Sequence, residues 1–251
     1  MKYFLLLIIL MLSACKNTTG KQFTADEIVA KSIVVSGGDL YKTSKIAFKF
    51  RDKEYESDAN GAIQKRKFFS DSLNYIDIKT ASDFQRYIED TPVVVSDSLA
   101  FVYSESINSV HYFVQLPYHL NDKAVHRKLL KEQTIQDKSY YLVQVTFDQN
   151  GGGADFQDTY YYWFNKETFT PDYLAYDFQT NGGGVRFRKA YNERYVNGIR
   201  FVDYENYKPK DASETIQNIA NLYATDQLEL LSKIVLENIT VFLKINPFLN
   251  E

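Results

Sequence analysis

The feature that most constrains the fold is a run of aromatic and β-branched segments between residues 139 and 209. Asparagine and glycine turns separate these segments, a pattern typical of consecutive antiparallel strands. In the first segment, Tyr141, Val143, Val145 and Phe147 alternate along the chain and should share one face. Four later segments repeat the alternation, so the block predicts five strands in order. Eleven of the twenty tyrosines lie in this block, and their rings can fill the concave side of a curved sheet.

The chain before this block begins with a helix signal. Thr24 and Glu27 form a capping box, apolar residues follow at roughly helical spacing, and Gly37-Gly38 supplies a left-handed stop. These features predict a helix over residues 26–36. Residues 45–55 then alternate between apolar and charged side chains, as in a strand with one face in water. Asn60-Gly61 predicts a hairpin turn into a partner strand.

The middle and the end of the chain give weaker patterns. Residues 74–78, 84–88, 92–95 and 99–102 are short β-like runs, which predict a meander that continues the first sheet. Residues 104–130 fit neither period well and predict a mixed helix-and-turn insertion. Within it, Asn121 or Asp122 can cap a helix over residues 123–130. A helical stripe over residues 213–222 and a strand ending near residue 243 complete the chain.

Together these elements predict a mainly β (α+β) fold. The order is helix, sheet, helical insertion and sheet, without a βαβ rhythm. A single strongly curved antiparallel sheet, or an incomplete β-barrel, packed on the N-terminal helix and the insertion satisfies that order. The chain has 251 residues, only five prolines and no linker-like tract, so residues 23–251 are predicted to form one domain.

The first residues predict export and lipidation. After Lys2, residues 3–12 form an apolar run that suits a signal-peptide core and is too short to span a bilayer. The run ends in Leu12-Ser13-Ala14-Cys15, which resembles the bacterial lipobox, and Cys15 is the only cysteine. Residues 1–14 are therefore predicted to be a lipoprotein signal peptide. Residues 15–22 would be a lipidated tether, bound to the membrane through acyl chains on Cys15. A secretory signal with a chance cysteine and an uncleaved anchor are the alternatives.

Composition and spacing argue against several kinds of chemistry. The net charge of −3 disfavours nucleic-acid binding. His111, His119 and His126 match no compact zinc motif, and no metal or other cofactor is predicted. Ser109, His111 and Asp122 can be written as a catalytic set, but no nucleophile elbow supports it. The sequence therefore favours a protein that is not an enzyme and predicts no catalytic residue.

Many of these segments also carry a family resemblance. The matching residues are 37–39, 48–51, 109–113, 116–117, 120–125, 145–147, 151–153, 162–163, 172–176, 182–188 and 197–201. They resemble a domain-of-unknown-function family of lipoproteins from Bacteroidota, the flavobacteria among them, which implies a cell-envelope location and no established activity. The architecture is also similar to the half-barrel of periplasmic lipoprotein carriers, which implies an apolar ligand. Residues 16–20 contain no acidic residue, which favours anchoring to the outer membrane on its periplasmic side.

These observations lead to one main functional hypothesis and two alternatives. The main hypothesis is that the half-barrel binds a lipid or acyl chain between the curved sheet, the first helix and the insertion. The candidate cavity residues are Tyr112, Phe113, Tyr141, Val143, Tyr162, Trp163, Tyr176 and Phe187. His111, Arg186 and Arg188 form a candidate polar rim, where the two arginines would bind an anionic head group. The alternatives are a packed interaction lipoprotein that docks another envelope component, and an envelope hydrolase.

Overall fold

The structure is a computed structural model that describes residues 22–243. It contains four α-helices: α1 (Ala25–Val35), α2 (Leu40–Thr43), α3 (Asp97–Val114) and α4 (Ile219–Ala224). Its strands are β1 (Ser44–Phe50), β2 (Lys53–Ser57), β3 (Gln64–Ser70), β4 (Leu73–Lys79), β5 (Phe84–Ile88), β6 (Thr91–Val93), β7 (Val125–Ile135), β8 (Lys138–Phe147), β9 (Thr159–Asn165), β10 (Pro171–Phe178), β11 (Gly184–Val196), β12 (Ile199–Pro209), β13 (Leu228–Ile234) and β14 (Leu236–Leu243).

All neighbouring strands are antiparallel, and they form two seven-stranded sheets. The first sheet has the order β14-β1-β2-β3-β4-β5-β6, and the second has the order β13-β12-β11-β10-β9-β8-β7. The predicted mainly β class, with an N-terminal helix and a helical insertion, is confirmed. The strands, predicted to form a single curved sheet or an incomplete β-barrel, form two hydrogen-bonded sheets, and the chain passes from one to the other between β13 and β14.

A buried carboxylate stabilises the corner between the two sheets. Asp203 on β12 accepts hydrogen bonds from the backbone N–H of Leu236 at 3.0 Å, from Arg194 at 2.9 Å and from Asn192 at 2.7 Å. Arg194 also donates to the Leu236 carbonyl at 2.8 Å. Because the first residue of β14 is bound to β12 in this way, the chain turns from one sheet into the other at a fixed place.

The first helix forms as its capping box predicts. The Thr24 hydroxyl accepts from the Glu27 N–H at 3.2 Å, and the Glu27 carboxylate accepts from the Thr24 N–H at 3.0 Å. Ile28 and Val29 of α1 are buried in a core with side chains of β8, β9 and β10. Arg127 on β7 donates to Asp26 at 2.7 Å and fixes the helix to the edge strand of the second sheet.

The five predicted strands are present as β8 to β12, and both faces of their sheet are buried. Tyr141, Val143 and Val145 lie on the face toward α1, with Phe147 packed at its margin. The opposite face is covered by α4 and the turn before it, at residues 216–218. Aromatic residues at consecutive positions are therefore buried on both sides of this sheet.

Two predictions for the middle of the chain are wrong. Residues 99–102 belong to α3 and do not form a strand, because α3 begins at Asp97. Residues 123–130 are not helical, because β7 begins at Val125 and pairs with β8 along its whole length. Pairing with a neighbouring strand overrides the local propensity of this lysine- and leucine-rich segment.

A buried network of charged side chains fixes α3 to the first sheet. Asp77 on β4 lies between Arg66 on β3 and Arg86 on β5, and it accepts two hydrogen bonds from each guanidinium at 2.6 to 3.1 Å. Arg66 also donates to Ser106 of α3 at 3.0 Å. The Arg86 guanidinium stacks 3.9 Å from the ring centre of Tyr103, also on α3. This network fixes the position of the helical insertion.

The predicted signal peptide and Cys15 lie outside the described residues, as does the predicted tether up to residue 21. Within residues 22–243, no helix is long and apolar enough to cross a membrane.

Candidate functional site

An apolar groove runs between α3 and the ends of β8 and β9. Its volume is about 370 Å³, and ligand pockets commonly have volumes of about 300 to 1,000 Å³. Phe101 and Val102 of α3 line the groove and are 59% and 57% exposed. Large apolar side chains exposed together are typical of binding surfaces. We call this space the apolar groove.

Four aromatic rings complete the apolar lining. Tyr112 and Phe113 come from α3, Phe147 from β8 and Tyr160 from β9. The Phe147 and Tyr160 ring centres are 5.6 Å apart, and those of Phe113 and Tyr160 are 6.3 Å apart. Tyr176 on β10 stacks behind Tyr160 at 5.3 Å. The rings therefore form a continuous apolar wall along the groove.

The loop at residues 148–158 closes one side of the groove and requires a glycine. A Cβ atom on Gly152 would lie 2.2 Å from the Asp148 carbonyl oxygen and 2.9 Å from the Cβ of Phe147, so no larger residue fits without moving the backbone. The Glu105 carboxylate on α3 accepts from the Ala154 N–H at 3.2 Å. The glycine-rich turn at residues 151–153 is thus held against α3 beside the groove.

A second, more polar space adjoins the apolar groove, and we call it the polar cleft. Its volume is about 560 Å³. It shares six lining residues with the groove: Glu105, Asn108, Tyr112, Phe147, Gly152 and Gly153. Its own polar lining includes Gln64, Lys79, His119 and Asp122. The His119 ring contacts Asp122 at 3.1 Å and the Gln115 side chain at 3.2 Å. The two spaces together have an apolar and a polar part.

The predicted cavity residues divide between the groove, the core and the far face of the sheet. Tyr112 and Phe113 line the apolar groove, with Tyr176 directly behind it. Another three are packed in the core against α1 and leave little space there: Tyr141, Val143 and Tyr162. The remaining two lie on the opposite face of the second sheet, against α4: Trp163 and Phe187.

The predicted polar rim is also divided. Arg188 is partly buried, donates to the Tyr176 hydroxyl at 3.1 Å and stacks 4.3 Å from the ring centre of Phe113. Arg186 stacks on Phe178 at 4.7 Å. His111 is fully buried against the stacked rings of Phe48 and Tyr55, in the core of the first sheet. Arg188 therefore lies beside the aromatic wall, Arg186 contacts Phe178 outside it, and His111 lies in another part of the core.

Burial of His111 should make the protein sensitive to acid. Burial lowers the pKa of His111 to about 4, although the Lys65 backbone acts in the opposite direction. The folded state thus favours the neutral ring. The neutral His111 ring contributes fully to stability above pH 6.5, the ordinary histidine pKa. This contribution is lost as the pH falls toward 4. We expect the His111 contribution to the free energy of unfolding to decrease by about 3 kcal/mol over that interval.

Urea unfolding at several pH values measures this effect. His111→Leu should remove this loss of stability between pH 6.5 and pH 4. Burial raises the pKa of Asp158 to about 6, so the variant should instead gain stability as the pH falls. His126→Gln is the matched control, because His126 lies on the surface beside Asp148 and its replacement should keep the dependence. An unchanged pH dependence in His111→Leu would contradict the assignment.

The structure does not assemble the catalytic set that the sequence allows. The Ser109 hydroxyl donates to the Ser106 carbonyl at 3.2 Å. His111 is buried against aromatic rings, and Asp122 contacts His119 instead. Among residues 22–243, no group of three or more His, Cys, Asp or Glu side chains is placed to hold a metal ion.

Several residues of the two spaces are not predicted by the sequence pattern. The alternation predicts only strands for Phe147 and Tyr160, and it predicts for Phe101 and Val102 a strand where the structure has α3. Lys79 gave no signal at all. The one usable signal was the glycine-rich turn at residues 151–153, because consecutive glycines often mark a close approach to the backbone.

Comparisons with known proteins give a family and a general likeness. No curated protein matches the chain significantly. The chain is similar to a LolA superfamily protein from Nitrosomonas europaea, at 12% identity and a TM-score of 0.46 over 87% of this chain and 94% of that one. It is also similar to a DUF1329 family protein from Desulfovibrio piger, at 11% identity and a TM-score of 0.49 over 88% and 94%. At TM-scores below 0.5 these similarities carry no argument about ligands. The model of the family of unknown function DUF6503 matches residues 1–238, and the chain therefore belongs to that family.

Proposed function

We propose that the protein is an envelope lipoprotein that binds an aliphatic chain in the apolar groove. The proposal rests on one observation. Exposed Phe101 and Val102 and the aromatic wall line the same open space of about 370 Å³. A surface of this kind gains free energy when apolar contacts replace water, at about 25 cal/mol per Å² of buried apolar area. A lipid or acyl chain is the apolar ligand that an envelope supplies in abundance.

The proposed location rests on the N-terminal sequence. The lipobox-like segment ending at Cys15 supports acylation of that cysteine, and more than one chain on it would give stable anchoring. The absence of acidic residues at positions 16–20 supports the periplasmic side of the outer membrane. An anchored protein would keep its groove close to a membrane, and thus close to a source of aliphatic chains.

The groove lies along α3, whereas the sequence predicts a cavity between the sheet, the first helix and the insertion. This position supports the insertion as the binding element. Ile28 and Val29 of α1 fill the space under the first helix, where they pack on Val143 and Tyr162. The open space lies instead along α3. The chain would therefore bind between the helical insertion and the second sheet, with Tyr112 and Phe113 as predicted contacts.

A second candidate function is docking of another envelope protein. Leu230 and Leu231 of β13 are 46% and 41% exposed, and Phe242 of β14 is 58% exposed. These side chains lie away from the apolar groove and would suit a protein partner. Docking of a protein partner requires no ligand in the groove. The binding experiment described next therefore separates the two candidate functions.

A steric block of the groove tests the proposal. Val102→Trp places a large side chain into the groove, and we expect it to weaken dodecanoate binding at least tenfold, about 1.4 kcal/mol. Val34→Trp is the matched control, because Val34 is an exposed valine on α1, outside the groove. Isothermal titration calorimetry on the anchored protein in nanodiscs measures both, with empty nanodiscs as the blank. Equal binding by the two variants, or no binding by the unmodified protein, would contradict the proposal.

A further inference from the structure

Lys79 differs from every other partly buried lysine of the described chain. Within residues 22–243, the other lysines of this class each pair with a carboxylate: Lys49, Lys53, Lys65, Lys166, Lys189 and Lys208. No carboxylate of those residues lies within ion-pair distance of Lys79, and its nearest named influence is the more distant charge of Glu105. Partly buried charges are normally paired, because loss of hydration is costly.

Lys79 lies where a ligand can reach it. It is the last residue of β4 and lines the polar cleft, opposite Gln64 on β3. The cleft shares Tyr112 and Phe147 with the apolar groove, so the two spaces adjoin each other. Burial lowers the pKa of Lys79, as expected for an ammonium group with no counter-charge in contact.

The other polar groups of the cleft leave this charge available. The Glu105 carboxylate accepts from the Ala154 N–H, and Asp122 contacts His119. Gln64 is 7% exposed, and its side-chain oxygen has no hydrogen-bond partner among the described residues. The cleft therefore contains one unpaired cation and two polar side-chain atoms without a partner among the described residues, the Gln64 Oε1 and the Tyr112 hydroxyl oxygen. These groups are complementary to an oxyanion that carries, or lies beside, a hydroxyl or amine hydrogen.

We propose that the ligand of the apolar groove is an acidic amphiphile, whose aliphatic chain lies in the groove and whose carboxylate or phosphate binds Lys79 in the polar cleft. This inference rests on the proposed function, since it adds a head group to the chain. Lys79 is unpaired in the unliganded protein because the ligand supplies its counter-charge. Ion pairing of this kind contributes through charge-assisted hydrogen bonds.

Four probes separate the contributions of chain and head: dodecanoate, dodecyl phosphate, dodecanol and inorganic phosphate. Calorimetric titrations on the anchored protein in nanodiscs should show the two acidic probes binding about ten- to a hundredfold more tightly than dodecanol. Inorganic phosphate should bind far more weakly than dodecyl phosphate. The ratio between the two acidic probes then shows whether a carboxylate or a phosphate fits the cleft better.

Variants locate the head group. Lys79→Gln should lower the affinities of the acidic probes to about that of dodecanol, and Lys79→Arg should retain most of the preference for acidic probes. Lys67→Gln is the matched control, because Lys67 is an exposed lysine on the neighbouring strand β3 that does not line the cleft. Melting curves of each variant confirm that it is folded.

Other outcomes overturn the inference in distinguishable ways. Equal affinities for dodecanoate and dodecanol would show that the protein does not recognise an acidic head group. The proposed function would remain intact. An acidic preference that survives Lys79→Gln and is lost in Arg188→Gln would place the head beside the aromatic wall instead. Inorganic phosphate binding as tightly as dodecyl phosphate would indicate an anion site without a chain. If no chain-bearing probe binds, the proposed function fails as well.

Discussion

Replacing Asp77 with asparagine is expected to lower the free energy of unfolding by about 3 to 5 kcal/mol. Asp77 is fully buried and is the shared counter-charge of Arg66 and Arg86, which lie directly opposite it on the two neighbouring strands. Without the carboxylate, two guanidinium groups would face each other in the interior with no negative charge between them. Because Ser106 and Tyr103 hold α3 to these arginines, the insertion should loosen as well.

Urea unfolding measures the loss, and a surface variant controls for the chemistry of the substitution. Asp90→Asn makes the same exchange in the exposed turn between β5 and β6, where the expected change is within about 0.5 kcal/mol. Hydrogen exchange of residues 97–114 should accelerate in Asp77→Asn and remain unchanged in Asp90→Asn. A loss below about 1 kcal/mol in Asp77→Asn would mean that the network contributes little to docking of α3.

Replacing Cys15 with serine is expected to abolish lipidation completely. Serine has no thiol to receive a thioether-linked lipid, so labelled palmitate should no longer be incorporated and processing at residue 14 should stop. Ser13→Ala keeps the cysteine within a lipobox-like segment and should be labelled like the unmodified protein. Gel mobility, label and membrane fractionation measure the two variants side by side. Equal labelling of both would exclude Cys15 as the acylated residue.

The strands of the second sheet can be predicted because the sequence pattern that specifies each strand lies within that strand and its turns. Alternation within residues 139–209, and the turns between segments, predict β8 to β12 without any knowledge of partners. The capping box that begins α1 is equally local, since Thr24 and Glu27 are three residues apart. What remained unpredictable is which face each ring would occupy in a sheet covered on both sides. Trp163 and Phe187 were therefore grouped with residues of the opposite face.

The insertion was harder to predict because α3 has no single apolar stripe. Its apolar residues face the first sheet, the aromatic wall and the open groove, so Leu99, Phe101 and Val102 interrupt the helical period. The edge strand β7 has only one neighbouring strand, and its sequence resembles that of a surface helix.

The charged groups that matter most gave no sequence signal. Arg66, Asp77 and Arg86 meet only because hairpin register places them opposite one another across three strands. Each of them alone resembles the solvent-facing residue of a strand with one wet face. The unpaired state of Lys79 likewise depends on the positions of all surrounding carboxylates, which only the three-dimensional arrangement determines.

Photo-cross-linking in cells tests the central claim, that the apolar groove binds an aliphatic chain. Cells are fed a fatty acid with a diazirine near its chain end, and cross-linked peptides of the full-length protein are mapped by mass spectrometry. If the groove binds an aliphatic chain, the label should be found on peptides that contain Phe101, Phe113, Phe147 or Tyr160. The labelling should be lost in Val102→Trp and retained in Val34→Trp. Labels confined to the exposed residues of β13 and β14, or found equally in both variants, would contradict this claim.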